Sequence, residues 1–174
     1  MGFITDAHVD SGALRRRLQS STTGLTYWDE SVGRRQFAWD TVNNRWQMVY
    51  ADSGVRDLSA VALSNGWTVN VSTFKIQRQG YLVSVQLYVD KTAASADTIY
   101  TLPTGFRPSI PVNSASPTGT SDDYCYSYVQ SSGVIGVTRV SMTANIGYLY
   151  FSFPTTDAWP ATLPGSASGS IPFN

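Results

Sequence analysis

The sequence predicts an all-β protein, an antiparallel β-sandwich head of jelly-roll type preceded by a small three-stranded β-hairpin module and a short N-terminal arm with a helix. Three observations lead there. Apolar residues recur at every second position, most clearly at Tyr81, Val83, Val85, Leu87 and Val89, with Leu82, Ser84, Gln86 and Tyr88 between them. A two-residue period is that of a strand with one buried face. Such runs are separated by short segments rich in Gly, Pro, Asn and Ser, which supply the backbone conformations that turns need. Charged residues make up only 14% of the chain and aromatic residues 13%, whereas helical proteins carry more Ala, Leu, Glu and Lys.

Residues 1–24 read as an attachment arm. Asp10 and Ser11 can cap a short helix over residues 12–19, with Leu14 and Leu18 four apart on one face. A helix so short is unstable alone in water. Leu14, Arg15, Arg16, Arg17 and Leu18 are therefore expected to lie against a partner surface, and residues 20–24 (SSTTG) form a polar linker. Residues 25–52 read as the hairpin module. Runs at 25–29, 36–40 and 45–50 are β-prone, and Asn43-Asn44 suits a tight turn between the last two. Trp28, Trp39 and Trp46 are expected to gather together and bury much of this unit's apolar area.

Residues 53–174 read as the head. After a connector to residue 66, strands are predicted at 67–71, 74–76, 81–89, 98–101, 109–113, 124–130, 134–140 and 146–153. Gln79-Gly80 marks a turn, and residues 91–97 and 114–123 are polar loops. Some eight strands in about 120 residues suit a sandwich or jelly roll.

The chemistry-bearing residues are sparse. Twelve basic and twelve acidic side chains cancel, so no clustered basic face argues for nucleic acid. A lone Cys125 excludes an internal disulfide, and its place between Tyr124 and Tyr126 in a strand suits a structural thiol. His8 is the only histidine and lies far from the head in sequence, so no Ser-His-Asp or Cys-His arrangement is expected there. One His and one Cys do not make a zinc cluster. Phosphate-loop and dinucleotide fingerprints are missing. No enzyme activity, cofactor or metal is expected, and no apolar run reaches the ~20 residues of a membrane helix. The N-terminus has no basic segment followed by an apolar run, so synthesis in the cytoplasm without a signal peptide is expected.

A binding role is better supported. A pyranose has an apolar face and a rim of hydroxyls, so sugar sites pair an aromatic platform with short polar side chains. Residues 118–128 (TGTSDDYCYSY) supply both, and Asp122, Asp123, Tyr124 and Tyr126 are the predicted contact patch. Packing of these tyrosines in a core or subunit interface is the competing reading.

Two Pro/Gly-rich corners complete the pattern: residues 102–108 (LPTGFRP) and 159–165 (WPATLPG). Pro103 and Pro108 fix the backbone, Gly105 permits a turn, Phe106 can plug the core, and Arg107 can meet a carboxylate or carbonyl. Trp159-Pro160 is expected to seal the far end of the head. The pattern "LPxGFRP … WPxxLPG" resembles the C-terminal head domains of bacteriophage tail-fibre and receptor-binding proteins, from about Ser53 onward. The "YWD … FxWD … W" spacing is similar to small hairpin modules that precede such heads. The resemblance implies a structural virion protein, a homotrimer whose head contacts the host surface, often a saccharide or teichoic-acid polymer. It implies an N-terminus docked on other virion proteins and no chemistry. The chain departs from long tail fibres in lacking a stalk or heptad region. That leaves two alternatives: a capsid decoration or head-fibre protein, and a free carbohydrate- or cell-wall-binding module.

Overall fold

A computed structural model of the chain describes residues 17–21, 24–40, 42–43, 45–91, 98–117, 124–140 and 146–168. Among them there is no helix; thirteen strands pair antiparallel throughout. They are β1 (Arg17–Ser21), β2 (Gly24–Asp29), β3 (Arg34–Asp40), β4 (Arg45–Asp52), β5 (Arg56–Asp57), β6 (Trp67–Gln79), β7 (Leu82–Lys91), β8 (Thr98–Thr101), β9 (Val112–Pro117), β10 (Tyr124–Val129), β11 (Val134–Val140), β12 (Ile146–Pro154) and β13 (Ser166–Ala167).

Alternation in the sequence sets the two layers. One curled sheet runs β1-β2-β3-β4-β6-β5-β13, with β7 on β6 and β12 on β7; the second runs β8-β11-β10-β9. Phe74, Ile76, Val83, Val85, Leu87, Val89, Leu149, Phe151 and Phe153 leave the first sheet on one face and are all buried. They form one core with Ile99, Cys125, Val129, Ile135 and Val137 of the second sheet. Each such side chain contributes roughly 1.5–3 kcal/mol by leaving water. The predicted fold class, an antiparallel all-β sandwich-like protein, is what the chain adopts.

Several elements differ from expectation. Arg17, Leu18 and Gln19 do not continue a helix; they open β1, where Arg17 faces Trp28 and Leu18 faces Tyr27 across the ladder. The predicted helix residues before them lie outside the described residues, as does Asn44. The residues of β1 bond the backbone groups that face β2 to a ladder already in place, a support that an isolated helical turn lacks. The turn after β3 falls on Val42 and Asn43, because the Asp40 carboxylate accepts from both their backbone N–H groups and from Asn43 Nδ2. Val112–Pro117 form strand β9, although residues 114–117 read as loop; β9 faces β10 along its whole length. Tyr81 lies in the turn after Gly80, and β7 begins at Leu82.

The segments at 67–71 and 74–76 merge into one long strand, β6, interrupted by a bulge. Val69 faces Val89 while Phe74 faces Leu87, so residues between them are extruded. Val71 and Ser72 have φ of 45° and 50° there. Ser59 holds the bulge, its hydroxyl donating to Ser72 O and accepting from Phe74 N.

The tryptophans do not gather as one group. Trp39 and Trp46 face each other across β3 and β4, with rings edge to face at 5.4 Å, and Tyr27 and Phe37 join them. Trp28 lies on the opposite face, at 6.0 Å from Tyr50 and beneath the Arg34 guanidinium. A one-residue step reverses the face, and an extra residue at Val49 brings Tyr50 to the Trp28 side.

Candidate functional site

The two Pro/Gly corners meet at Arg78. Its position follows from alternation in β6, where Phe74, Ile76 and Arg78 all point inward. Arg78 is only 5% exposed. Its guanidinium donates from Nη1 to Gly105 O (2.6 Å) and Ala158 O (3.0 Å), from Nη2 to Asp157 O (2.9 Å) and from Nε to Gly80 O (2.8 Å). The Trp159 ring lies 5.0 Å away against it. Five fixed donors on a planar fork suit this role, which one ammonium could not fill. Burial pushes the Arg78 pKa down, opposed by the Asp157 charge. Asp157 closes the arrangement by accepting from the backbone N–H of Gly105 (2.8 Å) and of Arg107 (3.4 Å).

Trp159-Pro160 therefore does not seal an opposite end. Pro160 packs on Gly105 so closely that a Cβ there would lie 2.9 Å from the proline Cδ, and the Gly105 φ of 96° also requires glycine. Phe106 and Leu102 are fully buried, and Arg107 Nε donates to Leu102 O (3.1 Å), the carbonyl option foreseen for it. Trp159 Nε1 donates to Val32 O (2.9 Å), which ties the corner to the turn between β2 and β3. Asp52, where β4 reaches β6, is buried and accepts from Gly54 N, Gln77 Nε2, Gln79 Nε2 and Tyr50 Oη. All these polar groups are engaged in holding segments together.

The predicted contact patch is only partly placed. Asp122 and Asp123 lie outside the described residues. Tyr124 and Tyr126 stand two apart on β10, facing Pro117 and Ala115 of β9. Tyr126 is 44% exposed, on the outer face of the second sheet, while Cys125 between them is fully buried and desolvation pushes its thiol pKa up. Of the predicted attachment residues, Leu14, Arg15 and Arg16 lie outside the described residues, and Arg17 and Leu18 begin β1.

A second surface was not foreseen. On the outer face of the first sheet Asp57, Lys75, Gln86 and Tyr150 stand opposite one another across β5, β6, β7 and β12. The adjacent row is Gln77, Ser84 and Ser152. Lys75, Gln77, Ser84, Gln86, Tyr150 and Ser152, with Val55, border a depression of about 420 Å³. Tyr150 is 54% exposed, and next to it Tyr88 and Tyr148 stack at 4.1 Å with their hydroxyls hydrogen-bonded at 3.0 Å. The signal was present in the interleaved residues of each strand, which only strand register assembles into one patch.

Among the described residues no group of three His, Cys, Asp or Glu side chains is placed to hold a metal ion. The fold and these surfaces define a two-sheet β-sandwich-like protein bearing an aromatic meander and open, tyrosine-bearing sheet faces. No family model, no curated protein and no solved structure matches the chain.

Proposed function

We propose that the chain is a structural component of a bacteriophage virion, a homotrimeric fibre-type appendage whose head binds a saccharide on the host surface. The observation that carries this reading is the meander β1–β4. It presents aromatic side chains on both faces, and residues 26–29 and 34–40 are half-buried with none fully buried. Trp46 is 37% exposed and Tyr50 41%. An aromatic layer open on both sides is favourable only when another surface covers it, and further copies of the same chain supply three such layers with matching chemistry. The resemblance of the LPTGFRP and WPATLPG corners to phage heads supports the same class. Trimerisation would also multiply weak contacts at the head into useful avidity. On this reading the residues before β1, including Leu14, Arg15 and Arg16, dock on other virion proteins.

Immunogold labelling of purified phage particles, with antibody raised against this chain, tests the assignment. Label at the tail is expected. Label over the capsid would favour the decoration alternative, and particles free of the chain would overturn the virion reading.

A further inference from the structure

We propose that the depression bordered by Gln77, Ser84, Gln86, Tyr150 and Ser152 is a binding site for a neutral hexose of a surface glycan. The proposal rests on the head being the host-contacting part, and it puts the contact on the first sheet and not on Tyr124 and Tyr126. Three features of the site define the ligand.

The first is the platform. Tyr150 is half-exposed on a strand paired with β7 over nine positions, so the face from which its ring projects is fixed before any ligand arrives. A prearranged aromatic surface meets the apolar face of a pyranose with little loss of conformational freedom. The second is the rim. Gln86 is directly opposite Tyr150, and Ser84 and Ser152 are a directly opposed pair one row along. All three are exposed, and their side chains have no hydrogen-bond partner among the described residues. Directly opposed side chains in a sheet start about 4.5–5.5 Å apart, so a sugar stacked on Tyr150 brings its hydroxyls over a carboxamide and two hydroxyls. These groups both donate and accept, as sugar hydroxyls do.

The third feature is charge. Among the described residues the only ionic side chain bordering the depression is Lys75, and its Nζ is hydrogen-bonded to the Asp57 carboxylate. Among these lining residues no unpaired cation remains to attract a phosphate polymer or an acidic sugar, and recognition falls to uncharged hydroxyls. The volume lies in the lower part of the roughly 300–1,000 Å³ range of ligand pockets. A second copy of the chain fits this face poorly, since it would bury unpaired amide and hydroxyl groups; the aromatic meander suits that contact better.

The test is an amide-detected NMR titration of the full chain with gluco-, galacto- and mannohexaose, and with a glycerol-phosphate hexamer as the anionic counterpart. The expected result is saturable shifts centred on Gln77, Gln86 and Tyr150 with at least one neutral hexamer. Tyr150→Ala and Gln86→Ala should each weaken that binding about tenfold or more with the rest of the spectrum unchanged, and Tyr126→Ala should leave it intact. Saturable shifts centred on Tyr126 and indifferent to Tyr150→Ala would overturn this site while leaving saccharide binding by the head standing. Binding of the anionic hexamer alone, or of no hexamer, would overturn the neutral-sugar assignment. The virion reading stands or falls separately on the gold labelling.

Discussion

At the level of single residues, Arg78 and Val71 show how the same strand carries a keystone and a strained position. Arg78 joins three segments through four backbone carbonyls. Arg78→Met leaves those carbonyls buried without donors, and we expect a loss of at least about 3 kcal/mol of unfolding free energy in urea titrations. Arg78→Lys should recover only part of it, because one ammonium cannot span Gly80, Gly105 and Asp157 together. A lysine variant as stable as the parent would show the fork geometry to be irrelevant. Val71 is a β-branched residue at φ 45° and is 71% exposed. Left-handed backbone costs such a residue roughly 1–2 kcal/mol, while glycine adopts it freely at some entropic cost. Val71→Gly should therefore raise stability by about 0.5–1 kcal/mol in the same titrations; a loss would mean that the side chain contributes more than its exposure suggests. Arg78 was legible in principle, since a charge in register with Phe74 and Ile76 announces a paired inward cation. Its partners beyond Gly80 were not legible, because they are main-chain atoms of residues 27 to 80 positions away.

At the level of elements, alternation made β7 and β12 plain, because each has one face in the core and one in water. β9 was hidden: its residues 114–117 (SASP) are small and polar, and only pairing with β10 makes them a strand. β1 was misread for a similar reason, since residues 17–21 carry no alternation of their own and take their conformation from β2. Pairing also explains an acid-sensitive contact between elements, Asp57 of β5 with Lys75 of β6. Hydrogen bonds from Lys75 and then from Ser59 hold the Asp57 carboxyl down to about 2, against an ordinary 3.8. A depressed folded-state value stabilises the fold above the ordinary value, and that contribution disappears as pH falls through about 2. Unfolding measured from pH 5 down to 2 should show Asp57→Asn to be less stable than the parent at pH 5, with the difference shrinking toward pH 2. A difference constant across that range would assign Asp57 a role independent of its charge.

At the scale of the whole molecule, the corners and the meander form one connected structure. Arg78 and Asp157 hold the two corners together, and Trp159 reaches on to Val32 between β2 and β3. The geometry of the meander is thereby coupled to the head. The sequence made the corners conspicuous but did not tell that they touch, since spatial adjacency across more than fifty residues is set by the sheets between them. The two tyrosine-bearing surfaces lie on opposite outer faces of the sandwich, and register alone decides which polar residues accompany each.

The proposed function rests on a trimer, and the native mass of the purified chain in solution tests that proposal most directly. Light scattering on the eluting peak should give about three times the chain mass of 19.0 kDa, unchanged on dilution through the micromolar range. Replacing Trp39 and Trp46 together by serine should lower it toward one chain mass. A stable single-chain mass for the parent protein would contradict the fibre-type assembly and leave the exposed aromatic meander to a different partner.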